Sequence, residues 1–77
     1  MDVLVTGAYG GMGRATVREL CRRGYRVFAL DRAVGEPEEG VIPIAADITS
    51  EVDVARAIAR VSEMTDSLLA VMHFAGI

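Results

Sequence analysis

The stretch TGAYGGMG at residues 6–13 contains the residue types with the clearest chemical meaning. Its glycines at Gly7, Gly11 and Gly13 follow a short β-branched run and precede a helical pattern. Between a strand and a helix, glycines let the backbone turn sharply and approach a pyrophosphate, which meets free amides and the positive end of the helix dipole. The spacing therefore predicts a dinucleotide-binding turn that also includes Thr6, Tyr9 and Met12. A purely structural loop is the alternative, and the entropy cost of several glycines disfavours it.

An acidic residue, Asp31, ends the next apolar run, 24 residues after Gly7. A carboxylate at this point can accept hydrogen bonds from the adenosine ribose hydroxyls and repel a 2′-phosphate. This favours NAD over NADP. Arg32 is the competing signal, because its guanidinium could pair with that phosphate. The plain alternative for Asp31 is a strand-end acid that is solvated or paired with Arg32.

Three other residues have less specific patterns. Asp47, in AADIT, suits an Asx-turn or a helix cap as well as a ligand contact. His73 ends an apolar strand and is the only histidine, so we predict a strand-end packing role and no metal site. Cys21 has no second cysteine to pair with, and we expect it to be a small buried apolar residue of a helix.

The elements that must position these residues follow from the apolar periodicity. Strands are predicted at residues 3–6, 25–30, 41–45 and 68–74, and helices at residues 13–24 and from 49 or 50 to about 64. This order predicts an α/β fold of the Rossmann type, a parallel sheet of order 3-2-1-4 with helices on both faces. Pro43 indicates an edge for the third strand. The connection before that strand is too short for the usual crossover helix.

Finer expectations concern the second helix and the last strand. Ser50 or Thr49 should cap the helix, with Asp53 as capping-box partner of Ser50. Its apolar stripe should comprise Val54, Ile58 and Val61. The run LLAVMHF should be a strand buried on both faces, yet no further strand follows to pair with its far edge, so self-association into a homo-oligomer is expected.

The composition excludes several classes of protein. The chain has 77 residues, 52% of them hydrophobic and 25% charged, as expected of one small folded domain. All eight basic residues are arginines, the net charge is −3, and no basic stripe is present for a nucleic acid. The row of Arg14, Arg18 and Arg22 is expected to be a solvated helix face, with Glu19 and Arg23 paired. Because no apolar run could span a bilayer and no leader pattern is seen, we expect a cytoplasmic protein without membrane contact.

The glycine pattern resembles the T-G-x-x-x-G-x-G motif of the short-chain dehydrogenase/reductase family, matched at Thr6, Gly7, Gly11 and Gly13. The resemblance covers all 77 residues. It implies that Asp47 contacts the adenine, with Ile48 packing alongside. Members that prefer NADP tend to carry a basic residue where this chain has Gly10, so the resemblance also favours NAD.

The end of the chain resembles the family less closely. Where typical members read N-N-A-G, this chain has His73, Phe74, Ala75 and Gly76. The last three complete the predicted cofactor site, while the histidine is similar to the His-x-Ala-Ala version of the extended, sugar-epimerase-like branch. The branch therefore stays open at this point.

The catalytic residues that the resemblance implies are absent from the chain. Family members use a serine and a Tyr-x-x-x-Lys pair, but this sequence has no lysine, and Tyr9 and Tyr25 are followed four residues on by Gly13 and Ala29. The resemblance thus implies that residues 1–77 are the NAD-binding portion of an oxidoreductase, inactive alone, whose full form acts on an alcohol or ketone as hydroxysteroid dehydrogenases do. The alternatives are a non-catalytic NAD(H)-sensing module and an extended member of the nucleotide-sugar epimerase type.

Overall fold

Four parallel strands and two helices make up residues 1–74, the part of the chain that the computed structural model describes. In chain order they are β1 (Asp2–Thr6), α1 (Gly11–Arg22), β2 (Arg26–Asp31), β3 (Val41–Ala45), α2 (Glu51–Met64) and β4 (Leu68–His73). The sheet order is β3-β2-β1-β4, with every neighbouring pair parallel. The predicted order is confirmed, and Pro43 lies in an edge strand as expected.

The alternation of side chains along β1 and β2 divides the core into two layers. One layer packs α1 on the sheet through Val17, and its buried strand residues are Val3, Val5, Val27, Ala29 and Val41. The other layer packs Ala57 and Val61 of α2 against Leu4, Phe28, Leu30 and Ile44. Helices therefore cover both faces, as predicted. Phe28 is fully buried, and truncating a buried phenylalanine to alanine costs about 3–5 kcal/mol.

Helix α1 begins at Gly11, two residues before the predicted start, and ends where Gly24 takes a positive φ of 91°. Its arginine row is exposed, as expected. Glu19 accepts from Arg22 at 2.6 Å and from Arg23 at 2.7 Å, which confirms the predicted pair and adds a second partner. Hydrogen bonds from these two guanidinium groups lower the pKa of Glu19 to about 2.

Helix α2 is capped by Ser50, whose hydroxyl accepts from the Asp53 amide at 3.2 Å. The predicted reciprocal capping box is wrong. The Asp53 carboxylate instead accepts from the Asp47 amide at 3.0 Å, and the Ser50 amide donates to the Asp47 carbonyl at 3.0 Å. The reason is local, because the turn before α2 folds back and supplies a backbone acceptor to Ser50.

Strand β4 differs from the prediction. It was expected to be buried on both faces, but Leu69 is 52% and Val71 58% exposed. Ile58, predicted to lie in the buried stripe of α2, is 54% exposed, whereas Val61 is buried. Val71 and Ile58 are exposed because they line an apolar groove of about 990 Å³ between α2 and β4, which no element of residues 1–74 covers. Within the same residues no strand pairs with the outer edge of β4.

The connection between β2 and β3 has no helix in the described structure, as its length predicted. It ends at Gly40, whose φ of 81° favours glycine. Cys21 packs on the α1 side of the core and lies 3.9 Å from the Gly40 carbonyl. The thiol is only half-buried, less than predicted, and burial raises its pKa. Neither helix of residues 1–74 has the length and apolar composition needed to cross a bilayer.

Candidate cofactor-binding site

The carboxyl ends of the four strands form one edge of the sheet. In the register of the strands, Thr6 pairs with Leu30 and His73, and Asp31 pairs with Ala45. The residues that follow each strand therefore meet at this edge, where open parallel sheets bind ligands. A cleft of about 380 Å³ opens there. Its lining residues are Gly7, Gly10, Asp31, Arg32, Ala46, Asp47, Ile48, Thr49 and Phe74.

The glycine turn after β1 depends on one very close backbone approach. Gly7 has a φ of 66°, in the left-handed region, and a Cβ added at Gly13 would lie 2.0 Å from the Gly7 carbonyl oxygen. Only a residue without a Cβ can bring the start of α1 this close to the turn. At Gly11 an added Cβ would meet nothing within 4 Å, so the space beside it is open.

The N-terminus of α1 faces this cleft without a side-chain cap. Its capping residue is Gly10, which lines the cleft, and the first turn contains no acidic residue. The first amides of a helix need acceptors from outside the helix, and its dipole favours an anion there. An uncapped helix end beside open space fits the pyrophosphate of a dinucleotide.

Asp31 is fixed at the end of β2 by two backbone donors. Its Oδ2 accepts from the Tyr9 amide at 3.0 Å and its Oδ1 from the Arg32 amide at 2.7 Å. Each carboxylate oxygen can accept a second hydrogen bond, so both retain capacity for ribose hydroxyls. The guanidinium of Arg32 does not pair with this carboxylate, which was the plain alternative. It donates to Asp47 Oδ2 at 3.1 Å.

Asp47 follows β3 and forms the Asx-type turn that the sequence suggested. Its Oδ1 accepts from the Thr49 amide at 2.9 Å and from the Thr49 hydroxyl at 2.6 Å. These bonds lower the pKa of Asp47 to about 2. The bond from the Thr49 hydroxyl contributes most, followed by the bond from the Thr49 amide and then the bond from Arg32. Asp47 is therefore an anion across the physiological range, on the wall of the cleft.

The other predicted site residues are spread around the turn. Ile48 and Phe74 line the cleft. Thr6 is buried, with its hydroxyl 2.6 Å from His73 Nδ1. The Tyr9 ring lies outside the cleft, against the backbone of Gly35, although its amide binds Asp31. Met12 is 75% exposed at the start of α1, and Ala75 and Gly76 lie outside the described residues.

Three lining residues were not predicted as part of the site: Gly10, Ala46 and Thr49. Gly10 was considered only as the position of a basic residue in other proteins, and Thr49 only as a helix cap. The signal that could have found them is their position one to four residues beyond a predicted strand end, since all such segments of a parallel sheet meet at one edge. No cluster of three or more potential metal ligands occurs among residues 1–74.

The family model for short chain dehydrogenases matches residues 2–77, which is nearly the whole chain. The chain belongs to this family of oxidoreductases. The match confirms the resemblance seen in the glycine motif, and the geometry gives the reason: the glycine contact, the uncapped helix end and the strand-end acid occur together at one edge of a Rossmann-type sheet.

Individual relatives agree with this assignment. The chain is 38% identical over 77 residues to ipsdienol dehydrogenase of Ips pini, covering 96% of this chain and 30% of that protein. It superposes on a 3-ketoacyl-(acyl-carrier-protein) reductase of Brucella melitensis complexed with NADH, with a TM-score of 0.81 and 26% identity. That match covers 91% of this chain and 32% of the other chain. It also superposes on a 3-alpha-hydroxysteroid dehydrogenase of Pseudomonas sp. B-0831 complexed with NADH, with a TM-score of 0.80 and 26% identity. That match covers 100% of this chain and 31% of the other chain. The chain thus spans about a third of the length of these relatives.

Proposed function

We propose that this chain binds NAD in the cleft at the carboxyl edge of the sheet, as the cofactor-binding portion, residues 1–77, of an oxidoreductase that acts on an alcohol or a ketone. The observation that carries the proposal is the Asp31 carboxylate, held by two backbone amides on the cleft wall, in the same cleft as the uncapped N-terminus of α1. A dinucleotide needs both features at once, an anion site and an acceptor for ribose hydroxyls.

Each part of the cofactor has a group suited to it. The amides at the start of α1 would hold the pyrophosphate, and the close contact of Gly13 with Gly7 would keep them at the turn. Asp31 would accept from the adenosine ribose. Asp47 and Ile48, on the opposite wall, would contact the adenine, in keeping with the family pattern. Phe74, with Ala75 and Gly76 after it, would continue the site beyond β4.

The choice of NAD over NADP rests on charge. If Asp31 accepts from the ribose hydroxyls, a 2′-phosphate on that ribose would lie beside its carboxylate, and the two negative charges would repel each other. Two of the solved relatives were crystallised with NADH, which supports a nicotinamide dinucleotide as the ligand.

The bound nicotinamide would supply or accept the hydride. The residues that move the proton lie outside this chain, because a sequence without lysine cannot complete the family's Tyr-x-x-x-Lys pair. We therefore infer that residues 1–77 alone bind cofactor without turnover. The substrate class, an alcohol or ketone of the hydroxysteroid type, is supported by the 3-alpha-hydroxysteroid dehydrogenase among the structural relatives and by the ipsdienol dehydrogenase of Ips pini.

Self-association of the 77-residue chain is part of the proposal. The outer edge of β4 and the apolar groove beside it are open in the described structure, and such edges pair with other chains. Size-exclusion chromatography should give a species larger than a monomer, and Val71→Lys, at an exposed position that lines the groove, should shift it towards the monomer. A stable wild-type monomer would contradict this.

The cofactor assignment is tested by titrating the chain with NAD⁺ and NADP⁺ in a calorimeter. Wild-type protein should bind NAD⁺ more tightly than NADP⁺. Asp31→Asn should weaken NAD⁺ binding by about tenfold, because charged hydrogen bonds to the ribose are lost. Glu36→Gln, which likewise replaces a carboxylate by its amide at an exposed position outside the cleft, should leave NAD⁺ binding unchanged. Circular dichroism verifies that each variant is folded. Absence of saturable NAD⁺ binding by folded wild-type protein would overturn the proposal.

A further inference from the structure

Two oppositely charged side chains that line the cleft form an ion pair with each other. Arg32 follows β2 and Asp47 follows β3, and both line the same cavity. Arg32 Nη2 donates to Asp47 Oδ2 at 3.1 Å, while Asp31, next to Arg32 in sequence, receives only the Arg32 backbone amide from that residue. The guanidinium of Arg32 thus bonds Asp47 and not the strand-end acid.

The bonding partner of Arg32 matters for cofactor choice, because Arg32 is the basic residue that lines the cleft within residues 1–74. NADP differs from NAD by a phosphate on the adenosine ribose, and sites that accept it use an arginine near that ribose. Arginine binds phosphate through paired charged hydrogen bonds, which need its guanidinium to be available. In this chain that group is already engaged by a carboxylate.

We propose that Asp47 is a positioning residue for cofactor selectivity. By holding Arg32, it keeps from a 2′-phosphate the one cation that lines the cleft within residues 1–74. The inference rests on the proposed dinucleotide site and deepens it. Selection against NADP then has two sources, repulsion from Asp31 and capture of Arg32 by Asp47. The pair is readily opened, since Arg32 is 73% and Asp47 32% exposed, so the second source contributes the smaller share.

The chemistry of Asp47 allows the two roles of its carboxylate to be separated. Oδ1 takes both bonds from Thr49, and Oδ2 takes the bond from Arg32. Asp47→Asn keeps an oxygen acceptor for Thr49 and puts an NH₂ group, which cannot accept, towards Arg32. The variant therefore frees Arg32 while preserving the turn before α2.

The experiment measures the dissociation constants of NAD⁺ and NADP⁺ for wild-type protein, Asp47→Asn, Arg32→Gln and the double variant. In Asp47→Asn, NADP⁺ binding should tighten by about fivefold relative to NAD⁺, the upper range for releasing an exposed ion pair. In the Arg32→Gln background the same substitution should give no gain. The gain should shrink at 1 M salt, where exposed charges are screened.

Each outcome decides between mechanisms. If the gain persists in the Arg32→Gln background, the charge of Asp47 acts directly on the phosphate and the proposed role of Arg32 is wrong. If Asp47→Asn leaves the ratio unchanged while NAD⁺ still binds, the inference fails and the proposed function stands. If folded wild-type protein binds neither dinucleotide, both fail together. The Thr49 amide resonance in NMR spectra checks that the turn persists in Asp47→Asn.

Discussion

The two helices within residues 1–74 begin at the same edge of the sheet, but their N-termini differ in side-chain capping. Helix α2 is capped by the Ser50 hydroxyl and has Glu51 and Asp53 in its first turn. Helix α1 begins at Gly11, and its N-cap residue, Gly10, has no side chain to cap it; the first turn contains no acidic residue. The helix without side-chain acceptors is the one whose capping residue lines the cleft.

This difference shows how a sequence can reserve one helix end for a ligand. Acceptors at the start of a helix stabilise it, because they satisfy free amides and oppose the dipole. In α2 the protein's own side chains do this. In α1 no side chain does this, and under the proposed function the pyrophosphate would take that place; the contact between Gly7 and Gly13 keeps the helix end beside the turn. Four changes would break or sharpen the contrast.

The largest effect is expected from Gly13→Ala. The new methyl group would lie 2.0 Å from the Gly7 carbonyl, so the helix and the turn must separate. We expect a loss of about 3 kcal/mol in the free energy of unfolding and loss of NAD binding. Gly11→Ala is the matched control, since its methyl meets nothing within 4 Å and alanine favours the helix by about 1 kcal/mol. Urea denaturation measures both. Equal stability of the two variants would show that the close approach is not required.

Gly10→Asp should make the start of α1 resemble that of α2. A Cβ there has 3.6 Å to its nearest neighbour, and the backbone is extended, so the fold should tolerate the change. The carboxylate should repel the pyrophosphate and weaken NAD binding by about tenfold or more, while stability rises by a few tenths of a kcal/mol. Gly10→Asn, which caps without charge, should lose less affinity. Calorimetric titration and thermal melting measure the two effects, and unchanged affinity in Gly10→Asp would place the anion site elsewhere.

Ser50→Ala tests the other helix. The Asp53 amide loses its acceptor, so the free energy of unfolding should fall by about 1 kcal/mol, with NAD affinity unchanged within about twofold. Ser62→Ala, at an exposed position of α2, is the control and should not destabilise the protein. A tenfold loss of NAD affinity in Ser50→Ala would mean that the two helix ends are not independent.

The smallest effect is a response to acid at the turn before α2, which the start of α1 should not share. The folded-state pKa of Asp47 is lowered from 3.8 to about 2, so its bonds to Thr49 stabilise the fold above pH 3.8 and are lost as the pH falls through about 2. The Thr49 amide resonance should titrate with a midpoint near 2, and Asp47→Asn should abolish that titration. The amides at the start of α1, with no carboxylate in that first turn, should not show it. A midpoint near 3.8 would mean that the Thr49 bonds are absent in solution.

The sequence predicted the fold more fully than the site. Alternating and continuous apolar runs located all four strands, and Pro43 marked an edge, because these signals are local or depend on simple rules of sheet topology. Burial of β4 was predicted wrongly, since periodicity reports what a strand could bury and not whether a neighbour is present to cover it.

In the site, Asp31 and the glycines could be recognised because their roles depend on backbone conformation and position in the chain. The capture of Arg32 by Asp47 could not, because the two residues come from different strands and meet only through the register of β2 and β3. The partner of the Asp53 carboxylate was missed for a local reason: the turn before α2 gives the Ser50 amide a backbone acceptor, and Asp53 accepts from the Asp47 amide instead.

The glycine contact also determines how the motif can vary by mutation. Every missense change of a glycine codon introduces a Cβ, so at Gly13, where that carbon would lie 2.0 Å from a carbonyl oxygen, each one disrupts the turn. At Gly10 an added Cβ would lie 3.6 Å from its nearest neighbour, which is ordinary van der Waals contact, so a side chain can begin there. Residues 10–13 thus include one position, Gly13, at which every substitution disrupts the turn, and one, Gly10, at which a side chain can be introduced next to the proposed pyrophosphate site.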